Sequence, residues 1–182
     1  MWRASRSNEN PARAAGSARR ADGGFHPEKH EESRLIWKPS VTVAAVIERD
    51  GRFLFVEEKI EGRLVLNQPA GHLDPGETLV AACAREVMEE TAHRFEPTAL
   101  VGIYRWYFAA KDVTFLRFCF CGSVLGTEKR PLDKEIVRLH WLSPEELKER
   151  ASEHRSPLVQ KCVEDFLAGH RYPLEILSED YA

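Results

Sequence analysis

A chain of 182 residues with 43% hydrophobic residues is long enough for one domain with a packed core. Its formal net charge of −3 excludes nucleic-acid binding driven by bulk positive charge, and no stretch reaches the roughly 18 consecutive apolar residues of a membrane-spanning helix. The cysteines Cys83, Cys119, Cys121 and Cys162 form no CxxC pair and have no His at zinc spacing, so they are expected as reduced, core-lining thiols of a cytoplasmic protein.

Residues 1–34 are rich in Arg, Ala, Ser and Gly and lack apolar periodicity. Such a segment cannot bury enough surface to offset its ordering entropy, and a disordered extension is expected. It lacks the apolar core of a secretory signal, although its Arg-rich start faintly resembles a transit peptide. The folded domain is expected over residues 35–182.

From Ser40, Val41, Val43 and Ala45 alternate with Thr42, Ala44 and Val46, a strand continuing to Glu48. Asp50-Gly51 is a two-residue hairpin signal, and Phe53 to Glu57 returns as its partner. Residues 59–63 are expected as a charged loop, and 64–66 as a short strand leading to Asn67-Gln68-Pro69-Ala70. Residues 71–77 deliver the chain, through the Pro75-Gly76 turn, into a helix ending near Thr91.

On that helix Val80, Cys83, Ala84 and Val87 recur at i, i+3, i+4 and i+7, the core-facing pattern. Glu86, Glu89 and Glu90 stand at i, i+3 and i+4, with Cβ atoms roughly 5–6 Å apart. The two faces are expected not to overlap, one packed on the core and one presenting acid. Like charges so close repel, and a hard divalent cation resolves the conflict, because Mg²⁺ is held by carboxylates together with substrate phosphates. A merely solvated acidic face would account for neither Arg85 nor the upstream spacing to Glu77.

Beyond the helix, residues 100–106 and 112–124 read as strands, 126–133 as a polar loop and 136–141 as a last strand. Ser143-Pro144-Glu145-Glu146 opens a helix with Ser at N-cap, Pro at N1 and Glu at N3. Residues 157–167 form another amphipathic helix, with Ser156 as the expected cap. Strands with helices between and after them predict an α/β/α sandwich on a mixed sheet.

The pattern Gly71-x5-Glu77-x7-Arg85-Glu86-Val87-x-Glu89-Glu90 resembles the signature box of the Nudix hydrolases. Two positions depart from it: where the family has Gly and then an apolar residue, Ala92 and His93 stand. The stretches around Lys38, Asn67, Phe115, Arg155 and Arg171 resemble, within that family, the bacterial phosphatases of the NudJ type over roughly residues 37–177. The resemblance implies the Nudix α/β/α sandwich and hydrolysis of phosphoanhydrides with Mg²⁺, Mn²⁺ being a substitute. It also implies phosphate release from nucleoside tri- and diphosphates and from hydroxymethylpyrimidine pyrophosphate, a thiamine precursor. The partner would then be a small molecule, with no nucleic acid and no membrane, and the protein a monomer or homodimer. The rival readings are a Nudix pyrophosphatase acting on ADP-ribose or dinucleotide polyphosphates, and a scaffold that binds a nucleotide without turnover.

Glu86, Glu89 and Glu90 are the expected metal ligands from their spacing, and the Gly71 carbonyl joins them by resemblance. Glu89 or Glu90 would also serve as base, a choice left open. Arg85 is expected to pair with Glu77 or Glu86 and orient the ligands. By resemblance, the loop before the last strand supplies an extra base or ligand, for which Glu135 is the candidate and Asp133 a weaker one; a solvated loop carboxylate is the alternative. Gln68 lies close to the metal site. Tyr104, Trp106 and Tyr107 could stack a base, and Arg117 or Lys59 could hold phosphates; core aromatics and solvated cations are the alternatives. His72 reads as a loop residue rather than a ligand.

Overall fold

The central strand β1 (Ser40–Val46) runs parallel to β7 (Val113–Thr127) and antiparallel to the short β5 (Ala70–His72). From Val43 onward every β1 residue is buried. Val43 and Ala45 face one core and Ala44 and Val46 the other, which explains why the strand reads as a continuous apolar run. The computed structural model describes residues 37–178, and the extension expected over residues 1–34 lies outside them.

Two sheets form. One has the order β5-β1-β7-β6, with β6 spanning His93–Phe108. The other joins β2 (Glu48–Arg49), β3 (Arg52–Ile60) and β4 (Arg63–Asn67), with β8 (Ile136–Leu142) also paired to β3. Helix α1 (Leu79–Thr91) packs over one core and α2 (Pro144–Glu149) and α3 (Leu158–Leu167) over the other. This is the α/β/α sandwich on a mixed sheet that the element order predicts.

Several boundaries differ from expectation. Residues 59–63 are not a loop: β3 and β4 are joined by Glu61 and Gly62 alone, both at positive φ (49° and 83°). Strands β6 and β7 pair from His93↔Thr127 to Phe108↔Val113, so both exceed their expected lengths. The register slips at Pro97 and again before Gly102 let a proline and a glycine sit inside a long strand. At α3 the N-cap is Pro157, and Ser156 stands one residue earlier, its hydroxyl accepting from the Leu158 N–H at 3.3 Å. The Ser143 capping box is present as expected. All four cysteines are free and buried, and among the described residues no helix is long and apolar enough to cross a membrane.

Candidate active site

Helix α1 starts at Thr78, whose hydroxyl accepts from the Ala81 N–H at 3.1 Å. Its buried apolar side chains are Ala82, Cys83 and Val87, set against Val43, Ala45 and Ile47 of the β1 segment. The expected separation of faces does not hold. At about 100° per residue Glu90 falls only about 20° from Cys83 on the helix circumference. Glu90 and Glu86 are accordingly buried, with 8% and 9% of their surface exposed. Only Glu89 keeps appreciable exposure, 32% of its side chain.

Each carboxylate is held. Glu90 accepts the Ala70 N–H at 2.9 Å. The Glu86 carboxylate lies directly over the Gly71 Cα, where an added Cβ would meet it at 2.1 Å. Arg85 gathers the rest: its guanidinium donates to Glu77 at 3.0 Å, Glu86 at 2.7 Å, Glu89 at 3.0 Å and the His72 carbonyl at 2.9 Å. The expected pairing with Glu77 or Glu86 is therefore met by both at once, and extends to Glu89. With Arg85 between Glu86 and Glu89, no three acidic, His or Cys side chains converge on one point among the described residues.

Of these carboxylates Glu86 and Glu90, but neither Glu77 nor Glu89, border a cavity of about 270 Å³. Glu86, Glu90, Asp74 and Gly71 form its acidic side. Thr42, Asn67, Arg117, Arg155, Trp106 and Phe115 line it as well. The rings of Trp106 and Phe115 stack at 5.5 Å and 19°. Thr42 Oγ1, Asn67 Oδ1, Arg117 Nε and Glu58 Oε1 are buried without a hydrogen-bond partner among the described residues. Buried polar groups are seldom left so, and the three of these that line the cavity, on Thr42, Asn67 and Arg117, mark a place built for a ligand.

Burial pushes the Glu90 carboxyl up to about 9, with the Glu58 and Glu86 charges adding and the Ala70 N–H opposing. Burial raises Glu86 and Glu58 as well. Glu77, by contrast, is held low by its bond from Arg85. Hard oxygen donors, buried and mutually repelling, with unpaired oxygens beside them, suit a divalent cation. The Gly71 cradle fits the same assignment.

The other expected site residues divide. Arg117 and Trp106 line the cavity, as does His72. Gln68 does not: it is buried, donates to the Val159 carbonyl at 2.7 Å and accepts from Arg117 at 3.5 Å, tying the sheet to α3. Lys59 is exposed on β3, away from the cavity wall, because residue 59 continues the strand instead of opening a loop. Tyr104 donates to Asp165 at 3.0 Å and Tyr107 to Asp112 at 2.8 Å, and neither lines the cavity. Glu135 is exposed and pairs with Lys134 at 3.4 Å. It is Asp133 that approaches the acidic cluster, its N–H donating to the Glu89 carbonyl at 3.0 Å and its charge acting on Glu86. Thr42, Asn67 and Glu58 are absent from the sequence-derived set. Glu57-Glu58 at the end of an apolar strand was the available signal.

A family model described as NUDIX domain matches residues 37–162. The chain is 42% identical over 147 residues to a protein named Phosphatase NudJ from Escherichia coli (strain K12), covering 79% of this chain and 94% of that one. Phosphatase NudJ of Shigella boydii serotype 4 matches with the same identity and coverage. A solved NUDIX hydrolase from Nitrosomonas europaea is similar with a TM-score of 0.77 at 53% identity, covering 78% of this chain and 97% of that chain.

Proposed function

Because the chain belongs to the Nudix family and is a hydrolase of phosphoanhydride bonds, we propose that it releases inorganic phosphate from small organic di- and triphosphates. The substrates are nucleoside tri- and diphosphates and hydroxymethylpyrimidine pyrophosphate, and the cation is Mg²⁺, with Mn²⁺ able to replace it. One observation carries this reading: one cavity is lined by the buried carboxylates of Glu86 and Glu90 together with Arg117 and the stacked rings of Trp106 and Phe115. The names of the relatives, phosphatases of the NudJ type, support the release of phosphate.

Glu86, Glu89, Glu90 and the Gly71 carbonyl would hold the cation. When bound, it would offset charge building on the phosphate oxygens and lower the pKa of water. The chain's own groups do the rest. Arg85 keeps Glu86 and Glu89 together against their repulsion. Glu90 is tied to the Ala70 N–H and Glu89 to Arg85; Glu89 is the more exposed of the two, and on that ground we take it as the base that accepts a proton from water. Arg117, with an unpaired Nε, donates to a phosphate oxygen. Trp106 and Phe115 offer a flat apolar wall to a heteroaromatic ring. Four buried free thiols fit a reducing cytoplasm.

The test is a substrate panel scored for phosphate, pyrophosphate and nucleoside monophosphate, with Mg²⁺ and with chelator. Wild type should release phosphate from diphosphates only with the cation. Glu89→Gln should lower kcat by about 100-fold or more with unchanged circular dichroism. Monophosphate release from ADP-ribose or a dinucleotide polyphosphate, without free phosphate, would make it a pyrophosphatase instead. Binding without turnover in any arm would make it a scaffold.

A further inference from the structure

Glu58 stands in β3, where its neighbours Phe55 and Val56 are fully buried core residues. It is itself 3% exposed, and one of its carboxylate oxygens has no partner among the described residues. The pairing of β3 with β8 slips between Glu57 and Glu58. A bulge of that kind re-aims a side chain, and such bulges concentrate beside active sites. Glu57 turns to His140 and Arg150, at 3.5 and 3.6 Å, while Glu58 pairs with Arg155.

An ion pair with one buried partner is a poor stabiliser, because desolvation of Glu58 offsets much of its attraction to Arg155 and apolar replacement of both partners is commonly neutral. Stability therefore does not account for Glu58. Its partner suggests what does. Arg155 belongs to the connection before α3, and its N–H donates to the Leu66 carbonyl at 2.9 Å, fixing the backbone to β4. Its side chain is 41% exposed. It lines both the cavity and the open groove beside it, which continues past Trp106 to Gln160 and Lys161. Glu58 engages one of the three guanidinium nitrogens, leaving donors for a ligand.

We propose that Arg155, set by Glu58, grips the phosphate that stays on the organic product, at the neck between cavity and groove, and thereby selects substrates with at least two phosphoryl groups. This rests on the phosphohydrolase reading above. Arg155 is the contact and Glu58 the positioning residue. Arg117 alone leaves a di- or triphosphate chain with one guanidinium in the cavity, and the cation cannot neutralise every oxygen. The planar fork of Arg155 supplies the second.

The experiment compares wild type, Arg155→Lys and the double variant Glu58→Met/Arg155→Met on a nucleoside diphosphate, with Tm recorded for each. The double variant should fold with Tm near wild type, raise KM at least about tenfold and change kcat far less. Arg155→Lys, which keeps the charge but loses the fork, should fall between. Unaltered KM in a folded double variant would overturn the proposal. If the double variant fails to fold, wild-type KM in Arg155→Lys overturns it and a raised KM supports it. If wild type releases no phosphate, the proposed function falls instead. The inference is then read from calorimetric binding of inorganic pyrophosphate, where equal affinity in wild type and Arg155→Lys would overturn it and weaker binding in the variant would support it.

Discussion

Gly71 shows how one missing side chain can shape a site. Its backbone needs no special dihedral; the constraint is the Glu86 carboxylate 2.1 Å from where a Cβ would stand. Gly71→Ala must therefore push Glu86 aside. Cation affinity, titrated calorimetrically with Mn²⁺, should fall about 10–100-fold while the far-ultraviolet spectrum stays unchanged; undiminished affinity would show that Glu86 is no ligand. The acidic helix residues and Arg85 were legible in the chain because Arg85 meets Glu86 and Glu89 within four residues, whereas the contacts of Glu90 with Ala70 and of Glu86 with Gly71 reach back across the loop and were not. Gln68 ties the sheet to α3 instead of lining the cavity, and Lys59 and Glu135 take the solvated alternative, because tertiary placement, which one sequence does not display, decides where each points. The Glu58–Arg155 pair bridges 97 positions, and no local pattern announces it.

Helix α1 ends on a residue poorly suited to its place. Ala92 occupies the left-handed region at φ 57° and ψ 18°, and its N–H donates to the Met88 carbonyl at 3.0 Å. The turn that glycine provides elsewhere in the family is thus kept, with an alanine under mild strain. Ala92→Gly should relieve it and stabilise the protein by about 0.5–1 kcal/mol, part of the gain being offset by loss of a methyl group that is 5% exposed. A rise in the denaturant midpoint at constant slope would register this, whereas an unchanged or lower midpoint would mean that the methyl's packing outweighs the strain. Elements whose signals are local were readable: the Asp50-Gly51 hairpin, the Ser143 capping box and the amphipathic α3. Where a signal was atypical the reading slipped. Glu61 is not a residue expected at positive φ, so the Glu61-Gly62 turn passed for a loop. Pro97 inside β6 argued against a strand that the bulges nonetheless accommodate.

For the molecule as a whole, the acidic cluster makes stability depend on pH and cation together. The Glu90 carboxyl sits at about 9 in the folded chain against an ordinary value of 4.5. A raised folded pKa gives stability that is complete below the unfolded value and lost as pH rises toward the folded one. Glu86 and Glu58, also raised, act in the same direction. His154, lowered by burial, acts oppositely, gaining stability as pH climbs through its ordinary 6.5 and little beyond. From about pH 7 to 9 the carboxylates therefore dominate, the buried thiols of Cys83, Cys119 and Cys121, also raised, adding to the loss only near the upper end. Across that range, chelator-treated protein should lose on the order of 2 kcal/mol, seen as a falling Tm. A divalent cation competes with those protons, so its stabilisation, RT ln(1 + [L]/Kd), grows with pH, and saturating Mg²⁺ should flatten or reverse the decline. Glu90→Gln keeps an oxygen for the Ala70 N–H and removes the titration. In chelator its Tm should fall less between pH 7 and 9 than that of wild type. Equal slopes in the two proteins would mean that Glu90 carries its charge freely, and that the acidic side of the cavity is not held in tension until a cation arrives.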